Sequence, residues 1–176
     1  ICYVMIEAVS AVGTYFPTTA QLASGEAGWT GTANASASDI GCFANGTSRT
    51  FMGWANRDVG GASHTLVGGS NWPNGIILRI NAMSGVDFFP TDAGAGTNWA
   101  AAWPGNNQWV HWALVFDEPN NNASLHINGA LISTQTQTAQ FPAGSSLEVG
   151  SWAASQFFDG KQAWVSVHQT ALTATQ

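Results

Sequence analysis

WVHWALVFDEPNNNASLHINGALI, residues 109–132, alternates and then turns back on itself. From Trp109 to Phe116 one face carries Val110, Trp112, Leu114 and Phe116. The other carries Trp109, His111, Ala113 and Val115. Both sets are apolar enough to be covered, which is the pattern of a central strand. Asp117-Glu118-Pro119 then breaks the run. Two further alternating runs, Ser124–Asn128 and Ala130–Thr134, flank the pair Asn128-Gly129. A two-residue hairpin turn needs positive φ at both central positions, and Asn and Gly tolerate it. The stretch predicts antiparallel strands joined by a tight turn.

The same period-two signal recurs in both directions. Cys2–Val9, Thr50–Asn56, His64–Gly68, Ile76–Asn81, Val86–Phe89, Leu147–Ser151 and Ala163–His168 are further candidate strands, separated by Gly, Asn, Pro and Ser clusters. Helical periodicity is nearly absent. Many short strands at this spacing predict an all-β sandwich or barrel. The 176 residues suit one domain, 1–176,. Residues 1–48 read as an N-terminal strand and a wrapping loop, because Pro17–Asn45 is poor in large apolar residues. The start, ICYVMI, reads as strand rather than as a signal segment.

Charge narrows the function. Charged residues make up 8% of the chain, the net charge is −6, and Arg49, Arg57, Arg79 and Lys161 are its four basic residues. A nucleic-acid interface needs several phosphate-neutralising cations on one surface, so nucleic acid is excluded as a partner. No apolar run reaches the roughly 20 residues that span a bilayer as a helix, so membrane insertion is not expected. A surface built from Asn, Gln, Ser and Thr suits an extracellular location or the surface of a particle such as a virion.

Three segments carry a resemblance: "NNQWVHWALVFDEPNNNASLHINGALI", "SSLEVGSW" and "FFDGKQAWVSVHQTAL". They resemble the laminin-G-like domains, pentraxin-like ones included, of the concanavalin A-like lectin/glucanase superfamily. Shared features are a Trp-x-His-x-Ala-x-Val-like strand, an Asn-Gly hairpin, and Phe-Asp-Gly leading into the last strand. "RTFMGWANRD" and "GIILRINAMSGVDFF" extend the match over a core of residues 49–173. The resemblance implies a concanavalin A-like jelly-roll sandwich of two antiparallel sheets. It also implies that Trp54, Trp109 and Trp112 are core, and that His111 is a scaffold histidine.

Some members of that superfamily hydrolyse glycosides with carboxylates on one strand face. Retaining chemistry needs two carboxyl groups about 5–5.5 Å apart. Residues i and i+2 of one strand come near that separation, but no acidic pair here has the spacing. The histidines, His64, His111, His126 and His168, lie on separate strands with no Gly-x-Ser-x-Gly elbow nearby,. The expectation is therefore a protein that is not an enzyme.

Relatives of this kind also bind calcium through Asp side chains and loop carbonyls, and calcium takes six to eight oxygens. Asp87, Asp92 and Asp117 are the candidates for such a calcium cofactor site. Asp159 is explained as an Asp-Gly turn. Carbohydrate binding in such folds stacks sugar faces on aromatic side chains, with Asn and Gln bonding the hydroxyls. Trp72, Trp99 and Trp103 stand in turn-rich loops and are the expected ligand-binding residues, assisted by Asn98, Asn106 and Asn107. Cys2 and Cys42 are able to form one disulfide or to remain two buried thiols.

The last strand departs from its relatives. They continue Phe-Asp-Gly with an Asp-Glu pair, where this chain has Ala163 and Trp164. Trp164 is expected at an interface, under the N-terminal segment or against a partner subunit. The expected function is a binding or adhesion module for a glycan or a protein receptor. The alternative is a structural coat or decoration protein whose partners are neighbouring subunits of a particle. A glycan-active enzyme is the third reading.

Overall fold

The computed structural model describes residues 2–3, 38–40, 48–69, 76–90, 96–139, 146–152 and 156–173, with backbone alone at 2–3, 38–40 and 146. Every described element is a strand, and the strands form two six-stranded antiparallel sheets. In spatial order the first sheet holds β1 (Cys2–Tyr3), β12 (Gly160–His168), β3 (Arg49–Arg57), β8 (Val110–Asp117), β9 (Asn122–Ile127) and β10 (Ala130–Thr136). The second holds β2 (Ser38–Ile40), β11 (Ser146–Val149), β4 (His64–Gly68), β5 (Ile77–Ile80), β6 (Val86–Phe89) and β7 (Thr97–Trp99).

Alternation explains the inner faces. Val110, Trp112, Leu114 and Phe116 of β8 are all buried, as are Phe51 and Ala55 of β3 and Val165 and Val167 of β12. They meet Leu78, Ile80, Val86 and Phe88 of the second sheet in one core. Phe88 and Phe116 pack tilted across the gap, with ring centroids 5.9 Å apart. Each large apolar side chain moved from water into that layer contributes about 1.5–3 kcal/mol. The hairpin forms as expected, with Asn128 at φ 50° and Gly129 at φ 79°.

Two elements escaped the sequence reading. β2 lies within the segment read as a wrapping loop, and β7 within a stretch read as a turn-rich loop. Three residues are too few for alternation to register; both strands exist because β11 and β6 offer them an unpaired edge. The β7 edge is also tied to β10 of the other sheet. Trp99 Nε1 donates to the Ser133 carbonyl at 3.2 Å, and Gln135 Nε2 donates to the Asn98 carbonyl at 2.7 Å.

The outer face of β8 is not covered as expected. Trp109 is 47% exposed, and Trp54, on the neighbouring β3, is 41% exposed. Of the three tryptophans expected in the core, Trp112 alone is there. Trp54 is out of phase with Phe51, Gly53 and Ala55, which face inward. The register Trp54↔His111 therefore puts both side chains on the solvent side.

Candidate functional site

The outer face of the first sheet follows from its registers. Trp54 on β3 pairs with His111 on β8 and with Ala163 on β12. Lys161 pairs with Asn56, and Met52 pairs with Ala113. Trp109 lies two residues before His111, on the same side. His126 pairs with Ala113, and Leu131 with His126. The imidazole of His111 and the indole of Trp54 make an edge contact with centroids 5.2 Å apart. Burial lowers the pKa of His111 below its ordinary 6.5, and nearby His126 lowers it further. At neutral pH His111 is therefore an uncharged neighbour of Trp54.

Trp164 completes this face by an irregularity. Ala163 pairs with Trp54 and Ser166 pairs with Met52, so Trp164 and Val165 together oppose Gly53. That is a β-bulge, which inserts a residue and re-aims a side chain. Val165 takes the inward place, and Trp164 is 74% exposed. Trp164 holds φ at 56°, a conformation that costs a non-glycine residue of the order of 1–2 kcal/mol. Gly53 makes the close approach possible. A Cβ there would sit 3.1 Å from Val165 Cγ2 and 3.2 Å from Val165 Cα.

The residues expected to bind ligand are placed elsewhere. Trp99 and Trp103 are 2% and 3% exposed and belong to the core. Trp99 pairs with Val86, whose side chain faces inward, so the indole faces inward too. Trp103 is drawn in by its backbone N–H, which donates to the Ser84 carbonyl at 2.9 Å. Their reading as sugar-stacking residues is corrected: an indole buried between sheets offers no face to a ligand. Asn98 donates through Nδ2 to the Asp87 carboxylate. Asn106 Oδ1 accepts from Arg57 Nε at 2.7 Å, and the Asn107 N–H donates to the Arg57 carbonyl at 2.7 Å. Asn98 Nδ2 and Asn106 Oδ1 are thus engaged inside the protein, whereas Asn107 is held through its backbone N–H. Trp72 lies outside the described residues.

The calcium candidates are likewise taken. Asp87 is 7% exposed and bound by Arg79 Nε at 3.0 Å, by Asn81 Nδ2 at 3.0 Å, and by Asn98. Three of the four lone-pair sites of this buried carboxylate are taken, one of them by a cation, which leaves little for a metal,. Asp117 accepts from Asn120 Nδ2 at 2.8 Å. Among the described residues no group of three or more His, Cys, Asp or Glu side chains fits a metal ion. The calcium reading therefore does not fit Asp87 or Asp117, while Asp92 lies outside the described residues. The pairing of Cys2 with Cys42 also falls outside the described side chains.

Trp54 and Trp109 were missed because each sits in an apolar run that reads equally well as core. The signal was in the phase. Phe51, Gly53 and Ala55 form one side of β3, and Met52, Trp54 and Asn56 form the other.

A family model described as concanavalin A-like lectin/glucanases superfamily matches residues 29–176. No curated protein matches the sequence. Among solved structures, a candidate carbohydrate-binding protein from Bacteroides ovatus is similar at 19% identity and TM-score 0.64, over 79% of this chain and 42% of that one. Domain 4 of AbnA, an extracellular GH43 arabinanase from Geobacillus stearothermophilus, was solved with arabinotriose. It is similar at 18% identity and TM-score 0.61, over 80% of this chain and 69% of that one. The CBM40 of the Ruminococcus gnavus IT-sialidase, bound to α2,3-sialyllactose, is similar at 20% identity and TM-score 0.58, over 72% and 78%. This chain thus spans less than half of the first of these structures and most of the other two. At these identities the likeness speaks for the fold.

Proposed function

The chain belongs to the concanavalin A-like lectin/glucanase superfamily, and from that premise we propose that it is a non-catalytic glycan-binding module acting outside the cell or on a particle surface. The observation that carries the proposal is the set of three exposed tryptophans, Trp54, Trp109 and Trp164, on one face of a rigid sheet. Exposed large aromatics grouped on one face mark an interaction surface. An indole offers a flat, polarisable apolar plate, and the C–H face of a sugar ring is its natural complement. Strands lie about 4.8 Å apart, so β12, β3 and β8 spread the indoles over roughly 10 Å. That span accepts more than one sugar ring. Trp164 keeps a strained backbone at a bulge, a state found where a side chain must be aimed.

The same face favours a neutral glycan. Arg49 and Arg57 are buried, and Arg79 is bound to Asp87. Lys161 is left as the one full cation that this face offers, with His111 uncharged. Hydroxyl recognition falls to His111, Lys161 and the half-buried Asn56.

The test is a glycan array and affinity electrophoresis in soluble neutral polysaccharides, with sialyllactose and uronate polymers as the acidic arm. Wild type is expected to bind neutral oligosaccharides, and Trp54→Ala/Trp164→Ala to lose at least tenfold in affinity. No glycan bound, or equal binding by the variant, refutes the proposal. If the face is instead an interface between subunits of a particle, the double variant changes self-association and leaves glycan arrays blank.

A further inference from the structure

Three of the chain's four histidines face the same way. His64 is buried at the start of β4, paired with Ile80 of the core. His111, His126 and His168 belong instead to the outer face of the first sheet: His111 pairs with Trp54, His126 with Ala113, and His168 with Thr50. His168 stands at the covered end of that face. Its partner Thr50 is fully buried, donating to the Thr170 carbonyl at 2.9 Å and accepting from the Leu172 N–H at 2.9 Å. His111 and His126 are half-buried and lie in the open part, beside the tryptophans.

The registers bring these two rings together. His126 opposes Ala113, two residues beyond His111 on β8, so the histidines are diagonal neighbours on one side of adjacent strands. Such positions are about 7–8 Å apart, within reach of aromatic side chains. Each ring feels the other, since His126 adds to the burial that lowers the His111 pKa. Among the described residues no carboxylate pairs with either ring. The elements beside them are poor in charge. β3 turns Met52, Trp54 and Asn56 to this side, and β10 turns Leu131 and Thr134. β12 turns Lys161, while Asp159 before it acts on His64. Asp58 follows the end of β3. Asp117 and Glu118 lie past the other end of the platform, Asp117 about 20 Å along β8 from His111 and bonded to Asn120.

We propose that this face takes a second class of ligand in mildly acid solution: glycans that carry anionic groups, whether carboxylates or sulfate esters. The inference rests on the reading of the open face as a glycan platform. Histidine is the side chain whose charge changes in the mildly acid range. Protonation of His111 and His126 adds two cations to Lys161 beside the same indoles, with no carboxylate among them to cancel the charge. Each protonated ring also donates from both nitrogens. An anion bound there favours the charged rings and draws protons onto them, so ligand and protons are taken up together. Near neutrality the rings are uncharged and the face keeps its preference for neutral sugars.

Biolayer interferometry on immobilised polygalacturonate, a sulfated galactan and neutral glycans tests this, at pH 7.5 and 5.0 in 50 mM NaCl. Circular dichroism checks the fold at both pH values. Each exposed ion pair is worth a factor of a few, so affinity for an acidic polymer should rise about tenfold at pH 5.0. The rise should vanish in 500 mM NaCl and in His111→Gln/His126→Gln. His111→Lys/His126→Lys, which carries the charges permanently, should bind the acidic polymer already at pH 7.5, and it decides the question without any change of pH. The carboxylate and sulfate arms show which anion is taken. No gain at pH 5.0, a gain that survives the Gln substitutions, or a Lys variant that ignores acidic polymers at pH 7.5 overturns the inference. Neutral glycans bound through Trp54 and Trp164 without any acidic gain would sink this inference and leave the platform standing. An acidic gain that needs the histidines but survives Trp54→Ala/Trp164→Ala would uphold the histidine pair and sink the platform.

Discussion

The outer faces of the two sheets are opposites. That of the second sheet is polar and closed: Arg79, Asp87, Asn81 and Asn98 lie on β5–β7 or beside them, and Gln156 reaches in to accept from Arg79 at 2.9 Å. Arg79 also lies over the Phe89 ring, 5.5 Å from its centroid. The outer face of the first sheet is apolar and open, with Trp54, Trp109 and Trp164 in solvent. These polar residues of the second sheet have their bonds already made inside the protein. The aromatic face has unspent contact area. In this chain a count of amides and carboxylates would point to the closed sheet.

The largest expected effect tests whether the closed face is structural. Asp87→Ala removes the common acceptor of Arg79, Asn81 and Asn98, and strands a largely buried charge. A cost of about 2–4 kcal/mol is expected, read as a fall of roughly 5–15 °C in Tm by calorimetry. Glycan affinity at a temperature where the variant is folded should not change. A loss of binding at intact fold would reverse the roles assigned to the two faces.

Next comes a substitution on the open face that separates stability from function. Trp164→Gly relieves a positive φ that a tryptophan tolerates poorly and a glycine does not resist. Stability should hold or rise by up to about 1 kcal/mol, while glycan affinity falls tenfold or more. A clear loss of stability would mean that Trp164 packs on something and is not held ready for a ligand.

The third effect concerns pH. His64, His111 and His168 all have pKa values lowered mainly by burial. The unfolded chain therefore binds protons more readily than the folded one. Stability is fully present above 6.5 and declines as pH falls through that value toward the lower folded pKa values. Thermal melts at pH 7.5, 6.5 and 5.5 should show this order. His111→Gln should flatten part of the decline, and a flat wild-type profile would contradict the burial assigned to the rings.

The smallest effect is that of salt. With Lys161 the one full cation of the open face, affinity for a neutral glycan should change less than about twofold between 50 and 500 mM NaCl. A steep fall would point to an acidic ligand and would break the contrast from its other side.

Much of this fold was legible in advance. The alternation of Trp109–Phe116 and the Asn128-Gly129 turn foretold β8, β9 and β10 nearly to the residue, and the Phe-Asp-Gly segment foretold β12. The reason is local: strand period and turn chemistry are written in neighbouring residues. The burial of the tryptophans was read less well. Trp99 and Trp103 stood among Gly, Pro and Asn, which usually means surface, yet both are drawn inward. Trp54 and Trp109 stood in apolar runs, which usually means core, yet both face solvent. An apolar strand has two faces, and its own residues do not say which one the second sheet will cover.

What the sequence by itself determined is the set of strands, their tight turn and the antiparallel sandwich, along with a low density of charge. What the tertiary structure alone decided is the direction of each indole. The pairing of β12 with β3 opposes two residues to Gly53 and so turns Trp164 outward, while the pairing of β6 with β7 turns Trp99 inward. Those directions depend on register between segments far apart in the chain, and no local pattern encodes them.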